Sequence, residues 1–431
     1  MGITTGMPRG RLLAAATAVF LASLLASCGL FAGPGGAPSP TSGALGAGGP
    51  GGVAQPPPGT PTPPPGTPTL RPIPTPTPTP GKGPACAAVR CASVLVTGDM
   101  LVHPQLWQQA REDARAAGVA GLDFGPILES QRRYIETSDV AICHLETPVA
   151  GPDGPFSGYP SFNVPPQIIT AVRGVGYQAC TTASNHTVDR GTAGLVRTLD
   201  ALDAAGLSHT GSYRTEAESQ GVLILQTAAA RIAVVDAAYG LNGQRAERPW
   251  QVDLLDPAAM TSKARKARAL GADIVLGVMH AGEEYSSEPN AEQRDVAHAL
   301  VDSGQFNMIY GHHSHSVLPI EKYKGTWIVY GLGNGITELS PSFVVNNEGL
   351  LVRAQFSQDA AGAWAASDLA WAPSVMVRDP YRWCSVAADT PQGRCAGSAA
   401  DAATRRRTTA VLESMGAAAA GAHELILSRE P

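Results

Sequence analysis

Apolar positions along this chain gather into short runs that each stop at polar residues, and helical spacing fills the stretches between them. Residues 93–97 form an apolar run that halts at Gly98-Asp99. Residues 140–144 form a second, ending in Leu145-Glu146. Residues 176–182 lead into Ala183-Ser184-Asn185-His186. Residues 272–279 are a continuous β-rich run closed by His280, and 307–310 lead into Gly311-His312-His313-Ser314-His315. Residues 327–330 precede Gly331-Leu332-Gly333-Asn334. Between these strands the spacing predicts helices over about 104–117, 125–137, 165–174, 192–205, 257–270 and 289–302. In the fourth, Leu195, Leu199 and Leu202 share one face, and Gly304 is placed to cap the last. Residues 222–226 and 231–236 predict a hairpin. Residues 350–356 and 364–371 predict late strands, and an Ala-rich helix follows near 400–420. Strand, turn and helix in alternation give an α/β class, built in layers.

The first 84 residues break this pattern. Arg9 and Arg11 precede an apolar run over 12–25, too short to span a bilayer comfortably and shaped like a signal peptide. It ends in Leu25-Ala26-Ser27-Cys28, which resembles a bacterial lipobox with Cys28 as the lipidated residue. Residues 29–84 are rich in Pro, Thr and Gly, cannot bury a core, and predict a semi-extended spacer. The chain therefore divides into a lipoprotein signal segment (1–28), a disordered linker (29–84), a main domain (85–372) and a C-terminal tail with a Cys pair and the Ala-rich helix (373–431). The expected location is the outer face of the bacterial cytoplasmic membrane. Net charge is −5 with no Lys/Arg run longer than the three residues 405–407, which argues against nucleic acid.

Seven cysteines become six once Cys28 is set aside, an even number suited to an exported protein. Cys86 and Cys91, and Cys384 and Cys395, flank the main body. Cys143 and Cys180 end strands beside the polar clusters. Spacing alone leaves the pairing open, both for Cys143 with Cys180 and for links between the two flanking groups.

The polar strand ends carry the candidate chemistry. Asn185, His186 and Asp189 offer an amide, an imidazole and a carboxylate, all donors for a divalent ion. They stand where open α/β sheets place their sites. The same residue types also serve as turn and helix-cap residues, and Asp189 is placed to N-cap the helix that follows. His209, in a predicted loop, and His298, mid-helix, read as structural. Five strand ends that share one trend favour a metal centre over five unrelated turns. His313 and His315 alternate, so on an extended segment both would face one side.

Together these motifs resemble the CapA/PgsA-type proteins of poly-γ-glutamate capsule biosynthesis, a branch of the calcineurin-like metallophosphatases. The resemblance runs from about residue 93 to 337. It takes in Gly98-Asp99-Met100, Leu145-Glu146, Tyr159 through Phe162, and Ala183-Ser184-Asn185-His186 with Asp189 and Gly191. It continues through His280-Ala281-Gly282-Glu283-Glu284-Tyr285 with Pro289 and Gln293, then Gly311-His312-His313-Ser314-His315 and Tyr330 through Asn334. It implies a layered metallophosphatase-like β-sandwich flanked by helices. It also implies two divalent ions (Mn, Fe or Zn) held by Asp99, Glu146, Asn185, His186, His280, His313 and His315. His144, His312, Asn334 and Glu283 are further candidates, and His312 could replace His313 as first of the closing pair.

Three departures stand out. The opening Asp-x-His of the superfamily is Asp99-Met100-Leu101, with His103 nearby at another spacing. His144 stands where the family usually has Asn, as an added ligand or a polar substitute. Ser314 replaces the usual Pro. The resemblance implies metal-assisted attack of water on phosphorus, with His186 protonating the leaving oxygen and Asp189 orienting its ring. The expectation is a membrane-tethered, metal-dependent hydrolase of capsule biosynthesis or export. The alternative is a non-catalytic scaffold or polymer-binding subunit. Expected partners are the membrane, an anionic capsule polymer and membrane proteins of its synthesis or export. For a polyanion, a metal or Arg173, Arg190 and Arg294 would have to offset the acidic charge.

Overall fold

The computed structural model describes residues 82–340 and 342–427. Cys28, the signal segment and the linker up to residue 81 lie outside the described residues. No helix among the described residues is long and apolar enough to cross a membrane.

The strands are β1 (Cys91–Met100), β2 (Val140–Leu145), β3 (Ala179–Thr181), β4 (Ser208–Thr210), β5 (Leu223–Gln226), β6 (Arg231–Ala238), β7 (Ile274–His280) and β8 (Met308–His312). They continue with β9 (Ile320–Tyr323), β10 (Thr326–Val329), β11 (Asn334–Ile336), β12 (Glu348–Gln358), β13 (Trp364–Val377), β14 (Arg382–Ser385) and β15 (His423–Glu424). One nine-stranded sheet runs β14-β13-β12-β1-β2-β3-β4, with β11 beside β1 and β15 beside β13. A six-stranded sheet runs β5-β6-β7-β8-β10-β9.

Alternation along the strands builds the layers. In β6, Ile232 and Val234 enter one apolar cluster and Ala233 and Val235 another. In β7, Ile274, Leu276 and Val278 enter the first and Val275 and Met279 the second. The first cluster also takes Val94 and Val96 of β1 and Val352 and Ala354 of β12, so it is the core between the two sheets. Leu95 points the other way, into a cluster with helices Pro104–Ala117, Gln167–Val175 and Gly191–Ala204. Helices Pro257–Ala269 and Ala291–Asp302 cover the outer face of the second sheet. With both faces covered, these strands must be apolar throughout, which is why they read as continuous runs rather than alternating ones.

Several expectations change. The stretch 125–137 is not one helix. It is two single turns, Gly125–Leu128 and Arg132–Ile135, joined by a 3₁₀ turn, Glu129–Gln131. Burial of Ile127, Leu128, Tyr134 and Ile135 holds the irregular path in place. His209 lies in β4 rather than in a loop, 3.1 Å from Asp203. Helix Ala291–Asp302 opens with a reciprocal capping box between Asn290 and Gln293. Cysteines pair Cys86–Cys91, Cys143–Cys180 and Cys384–Cys395, so the flanking groups bond internally rather than to each other. Cys143 and Cys180 are register partners across β2 and β3. β13 runs through residue 372, and β14 and β15 both pair with it. Leu412, Ala417 and Ala422 of the C-terminal segment enter the core between the sheets.

Candidate metal centre

β1, β2 and β3 are parallel to one another, and so are β6, β7 and β8. Register sets Asp99 opposite His144, His144 opposite Thr181, and His280 opposite His312. Close backbone approach makes this edge possible. A Cβ on Gly98 would lie 2.2 Å from the Gly333 carbonyl oxygen, and one on Gly311 would lie 2.1 Å from that of Tyr330. Only glycine fits either place.

One half of the centre is built on carboxylates. Asp99 Oδ1 accepts from His312 Nδ1 at 2.6 Å. Its Oδ2 accepts from the His313 backbone N–H at 3.1 Å and lies 3.2 Å from His315 Nδ1. Burial opposes ionisation of Asp99, but these imidazoles hold its carboxyl well below the usual range. Asn334 Oδ1 stands 3.1 Å from His315 Nδ1, and Asn334 Nδ2 donates to the Asn346 carbonyl at 2.7 Å, so Asn334 orients the ring. Glu146 Oε1 is 3.6 Å from His315 Nε2, beyond hydrogen-bond length. Both Glu146 oxygens are buried without a donor. Burial, with Asp99 and Glu284 nearby, pushes the Glu146 carboxyl up to about 7 against the pull of His315. Burial alone would lower His315, but Glu146 and Asp99 raise it to about 9.

The other half is built on imidazoles. His144 Nδ1 is 2.9 Å from Thr181 Oγ1, His144 Nε2 is 2.9 Å from His280 Nδ1, and His280 Nε2 is 2.9 Å from Asn185 Oδ1. Asn185 Nδ2 donates to Asn242 Oδ1 at 3.2 Å, which fixes the amide's orientation. Two proton arrangements fit this chain. In one, Thr181 donates to His144, His144 to His280, and His280 to Asn185. In the other, Thr181 turns to the Cys143 carbonyl, 3.3 Å away, and each ring donates backwards. His280 Nε2 and Asn185 Oδ1 then face one spot as two lone pairs, which suits a cation there. Burial first, then neighbouring imidazoles, keep His144 and His280 well below their ordinary pKa, so both are neutral ligand-type rings.

His313 and His315 are not on an extended segment. Their φ angles of 85° and 50° place both in the left-handed region, and the chain turns tightly through them. The turn still brings the rings together. His313 lies 4.9 Å from His280 and 6.1 Å from His315 between ring centroids. His313 Nδ1 and His312 Nε2 are buried without a partner. His312 backs Asp99 and stacks on His144 at 4.0 Å.

His186 stands at the rim. Its Nδ1 is 2.8 Å from Asp189 Oδ2. That carboxylate also accepts from the Phe162 backbone N–H at 2.7 Å and, through Oδ1, from Gln244 Nε2 at 3.1 Å. Asp189 is thus committed to His186 and does not cap helix Gly191–Ala204. Burial works against the charged ring, yet Asp189 and Glu146 raise the His186 pKa.

Two sequence expectations shift. Glu283 enters no ligand-type group among the described residues, whereas its neighbour Glu284 does, with His313 and His315. Adjacent carboxylates on a loop cannot be told apart by sequence. His103 does not replace the missing imidazole of the opening motif. Its Nδ1 accepts from the Glu338 backbone N–H at 3.1 Å, and burial pushes it down to about 4. Tyr239, Tyr285 and Phe343 are exposed around the mouth, with Tyr239 4.6 Å from His313 and Tyr285 6.2 Å from His315.

The donor set fits divalent ions. Asp99, Glu146 and His315 bring three ligand atoms within 4.8 Å of one another. A buried carboxylate with no hydrogen-bond donor is costly unless a cation neutralises it.

Two facing sheets between helices bring carboxylates and imidazoles together on one edge of strand ends, a layered α/β fold with a candidate metal centre. The family model of the bacterial capsule synthesis protein PGA_cap matches residues 93–338, and the chain belongs to that family. It is 28% identical over 210 residues to the capsule biosynthesis protein CapA of Bacillus anthracis, covering 47% of this chain and 51% of that one. It is 29% identical over 218 residues to a probable polyglutamine synthesis accessory protein of Mycobacterium tuberculosis, covering 47% and 56%. The chain spans about half the length of these curated relatives. Among solved structures, the calcineurin-like phosphoesterase YfkN of Bacillus subtilis aligns over 76% of this chain and 99% of its own. There the sequence identity is 14% and the TM-score 0.38.

Proposed function

We propose that this protein is a metal-dependent hydrolase of the bacterial envelope, acting on a phosphoester in capsule-type polymer synthesis or export. In this reading lipidated Cys28 tethers it to the outer face of the cytoplasmic membrane. The observation that carries the reading is Glu146, a buried carboxylate without a donor, facing Asp99 and His315. Asp99, Glu146 and His315 would hold one divalent ion, and Asn185, His280 and His313 a second. When bound, such ions supply a Lewis acid and lower the pKa of water. The chain's own residues do the rest. Asp189 fixes His186 through Nδ1, which leaves Nε2 to hand a proton to a leaving oxygen. Asn334 and His312 orient His315 and Asp99.

Family membership supports the capsule role, and relatives named for capsule biosynthesis in Bacillus anthracis and for polyglutamine synthesis in Mycobacterium tuberculosis support a role in making such a polymer. One observation favours a non-catalytic scaffold instead. Leu101, 3% exposed, fills the place of the superfamily's opening imidazole.

The test is elemental analysis of the full chain in detergent, reconstituted with Mn²⁺ or Zn²⁺, followed by a phosphodiester screen. About two ions per chain are expected, with metal retained and turnover lost in His186→Ala. A folded wild type that binds no metal overturns the hydrolase reading. So does turnover that is unchanged in His186→Ala.

A further inference from the structure

We propose that Glu284 is a metal ligand, replacing from another strand end the imidazole that the opening motif lacks. The proposal rests on the metal reading above.

The vacancy is chemical. The group Asp99, Glu146 and His315 offers three donor residues, and metal sites of this kind take four to six. Asp99 also groups with His144 and His312, but both His144 nitrogens go to Thr181 and His280, and His312 Nδ1 goes to Asp99 itself. The place two residues after Asp99 is Leu101, a buried aliphatic that cannot ligate. His103, the nearest other imidazole in sequence, uses its Nδ1 on the Glu338 backbone.

Glu284 is the carboxylate that reaches the gap. Its ligand atom lies within 4.8 Å of those of His313 and His315. His315 is common to this group and to the group of Asp99 and Glu146, so the four side chains surround one ring. Three buried atoms without partners belong to the same pair of groups: His313 Nδ1 and both carboxylate oxygens of Glu146. Hydrogen bonds within the protein do not satisfy them; a cation shared by Glu284, Glu146 and His315 would neutralise the carboxylate, and the second ion would take His313.

The loop is held to present this side chain. Tyr285 has φ 67°, a conformation that bulky residues adopt only under constraint. Its backbone N–H donates to the Ser314 carbonyl at 2.7 Å, which pins the loop to the turn carrying His313 and His315. Glu283, one residue earlier and exposed like Glu284, joins no such group among the described residues. The two carboxylates therefore form a matched pair, one placed at the centre and one beside it.

Glu284 shares His315 with the group of Asp99 and Glu146, and in this proposal it joins their ion, which gives that ion three carboxylates and one imidazole. Hard oxygen donors favour Mn²⁺ or Mg²⁺ over softer ions. The Asn185, His280 and His313 set is richer in nitrogen and favours Zn²⁺ or Fe²⁺. The centre is then asymmetric, with Mn²⁺ selected by the half that Glu284 completes.

The experiment is Mn²⁺ binding to the metal-stripped full chain in detergent, followed by the electron paramagnetic resonance of free and bound Mn²⁺. Wild type, Glu284→Gln, Glu284→Ala and Glu283→Gln are compared. Circular dichroism serves as the fold check, which an exposed residue should pass. The expected result is a tenfold or larger loss of affinity at one Mn²⁺ site in both Glu284 variants, with Glu283→Gln unchanged. Wild-type binding in both Glu284 variants overturns the ligand assignment while the metal reading stands. Equal losses in Glu283→Gln and Glu284→Gln also overturn it, because a general effect of loop charge would then explain both. No Mn²⁺ or Zn²⁺ bound by folded wild type overturns the metal reading itself.

Discussion

The carboxylate half around Glu146 and the imidazole half around His280 draw on both sheets, yet they respond to burial in opposite ways. Around His280, burial only keeps rings neutral, and a closed chain from Thr181 through His144 to Asn185 satisfies every polar atom it uses. Around Glu146, burial confines a carboxylate that no N–H or O–H reaches. In one of its two proton arrangements the His280 chain closes without an ion, although His313 Nδ1 beside it has no partner. The carboxylate half is strained without one. The energy that binding a cation would recover is stored in the carboxylate half, and that half should dominate both metal affinity and the stability of the loaded protein.

The largest expected effect tests that asymmetry directly. Asp99→Ala leaves His312 Nδ1 and the His313 backbone N–H without their acceptor, and it removes the carboxylate beside His315 Nδ1, which keeps Asn334 Oδ1. Breaking a buried charged network in this way costs about 3–5 kcal/mol. Urea denaturation of metal-free protein should show it, while Asn185→Ala in the other half should cost about 1–2 kcal/mol. Equal losses would erase the distinction between the halves.

Glu146→Gln separates stability from loading. Removing a buried charge that no N–H or O–H reaches, and that burial costs more than nearby His315 recovers, should stabilise the metal-free protein at pH 8 by about 1–3 kcal/mol. The same change should weaken binding of the ion that Asp99 and His315 share. A metal-free Glu146→Gln protein that melts below wild type would mean that some group does satisfy Glu146.

Which parts of this were legible in the sequence follows from which contacts are local. Continuous apolar runs mark strands covered on both faces, so β1, β2, β7 and β8 were readable, as was the polar residue ending each. Long helices with caps or Gly stops were readable to within a residue or two. β4, β11 and β15 have two or three residues each, and only neighbouring strands make them strands. At the site, Asp99, Asn185, His280 and the closing histidines could be named from the motifs. The choice of Glu284 over Glu283 could not, because it depends on how Tyr285 turns and where Ser314 lies. Nor could the commitment of Asp189 to His186 be told from a helix cap, since both need the same residue at the same place.

His144 gives a smaller effect confined to the imidazole half. It lies in a ligand-type group with Asp99 and His312, but its two ring nitrogens are taken by Thr181 and His280, so in this reading it orients a ligand and sets its tautomer. Loss of such a partner lowers metal affinity by about 10–100-fold. His144→Ala should therefore weaken one Zn²⁺ site and leave the Mn²⁺ preference of the carboxylate half intact. The ¹⁵N shifts of His280 should change tautomer on metal addition in wild type but not in this variant. Loss of both sites together would make His144 a structural residue.

The smallest effect is a pair of opposed pH slopes in the metal-free protein. His315 is raised from 6.5 to about 9, so its folded form binds a proton more tightly than the unfolded chain. Its contribution is full below pH 6.5 and is lost as pH rises through about 9. Glu146, raised from 4.5 to about 7, adds a loss of the same sign between those values. His144 and His280 are lowered, so the unfolded chain takes up protons that the fold refuses, and stability falls as pH drops below 6.5. Each group contributes at most about 1.4 kcal/mol per pH unit. Thermal melts of stripped protein should show the alkaline slope flattened in His315→Asn and the acid slope flattened in His280→Asn. A single variant that flattened both slopes would show that the two halves titrate as one network, and the division between them would fail.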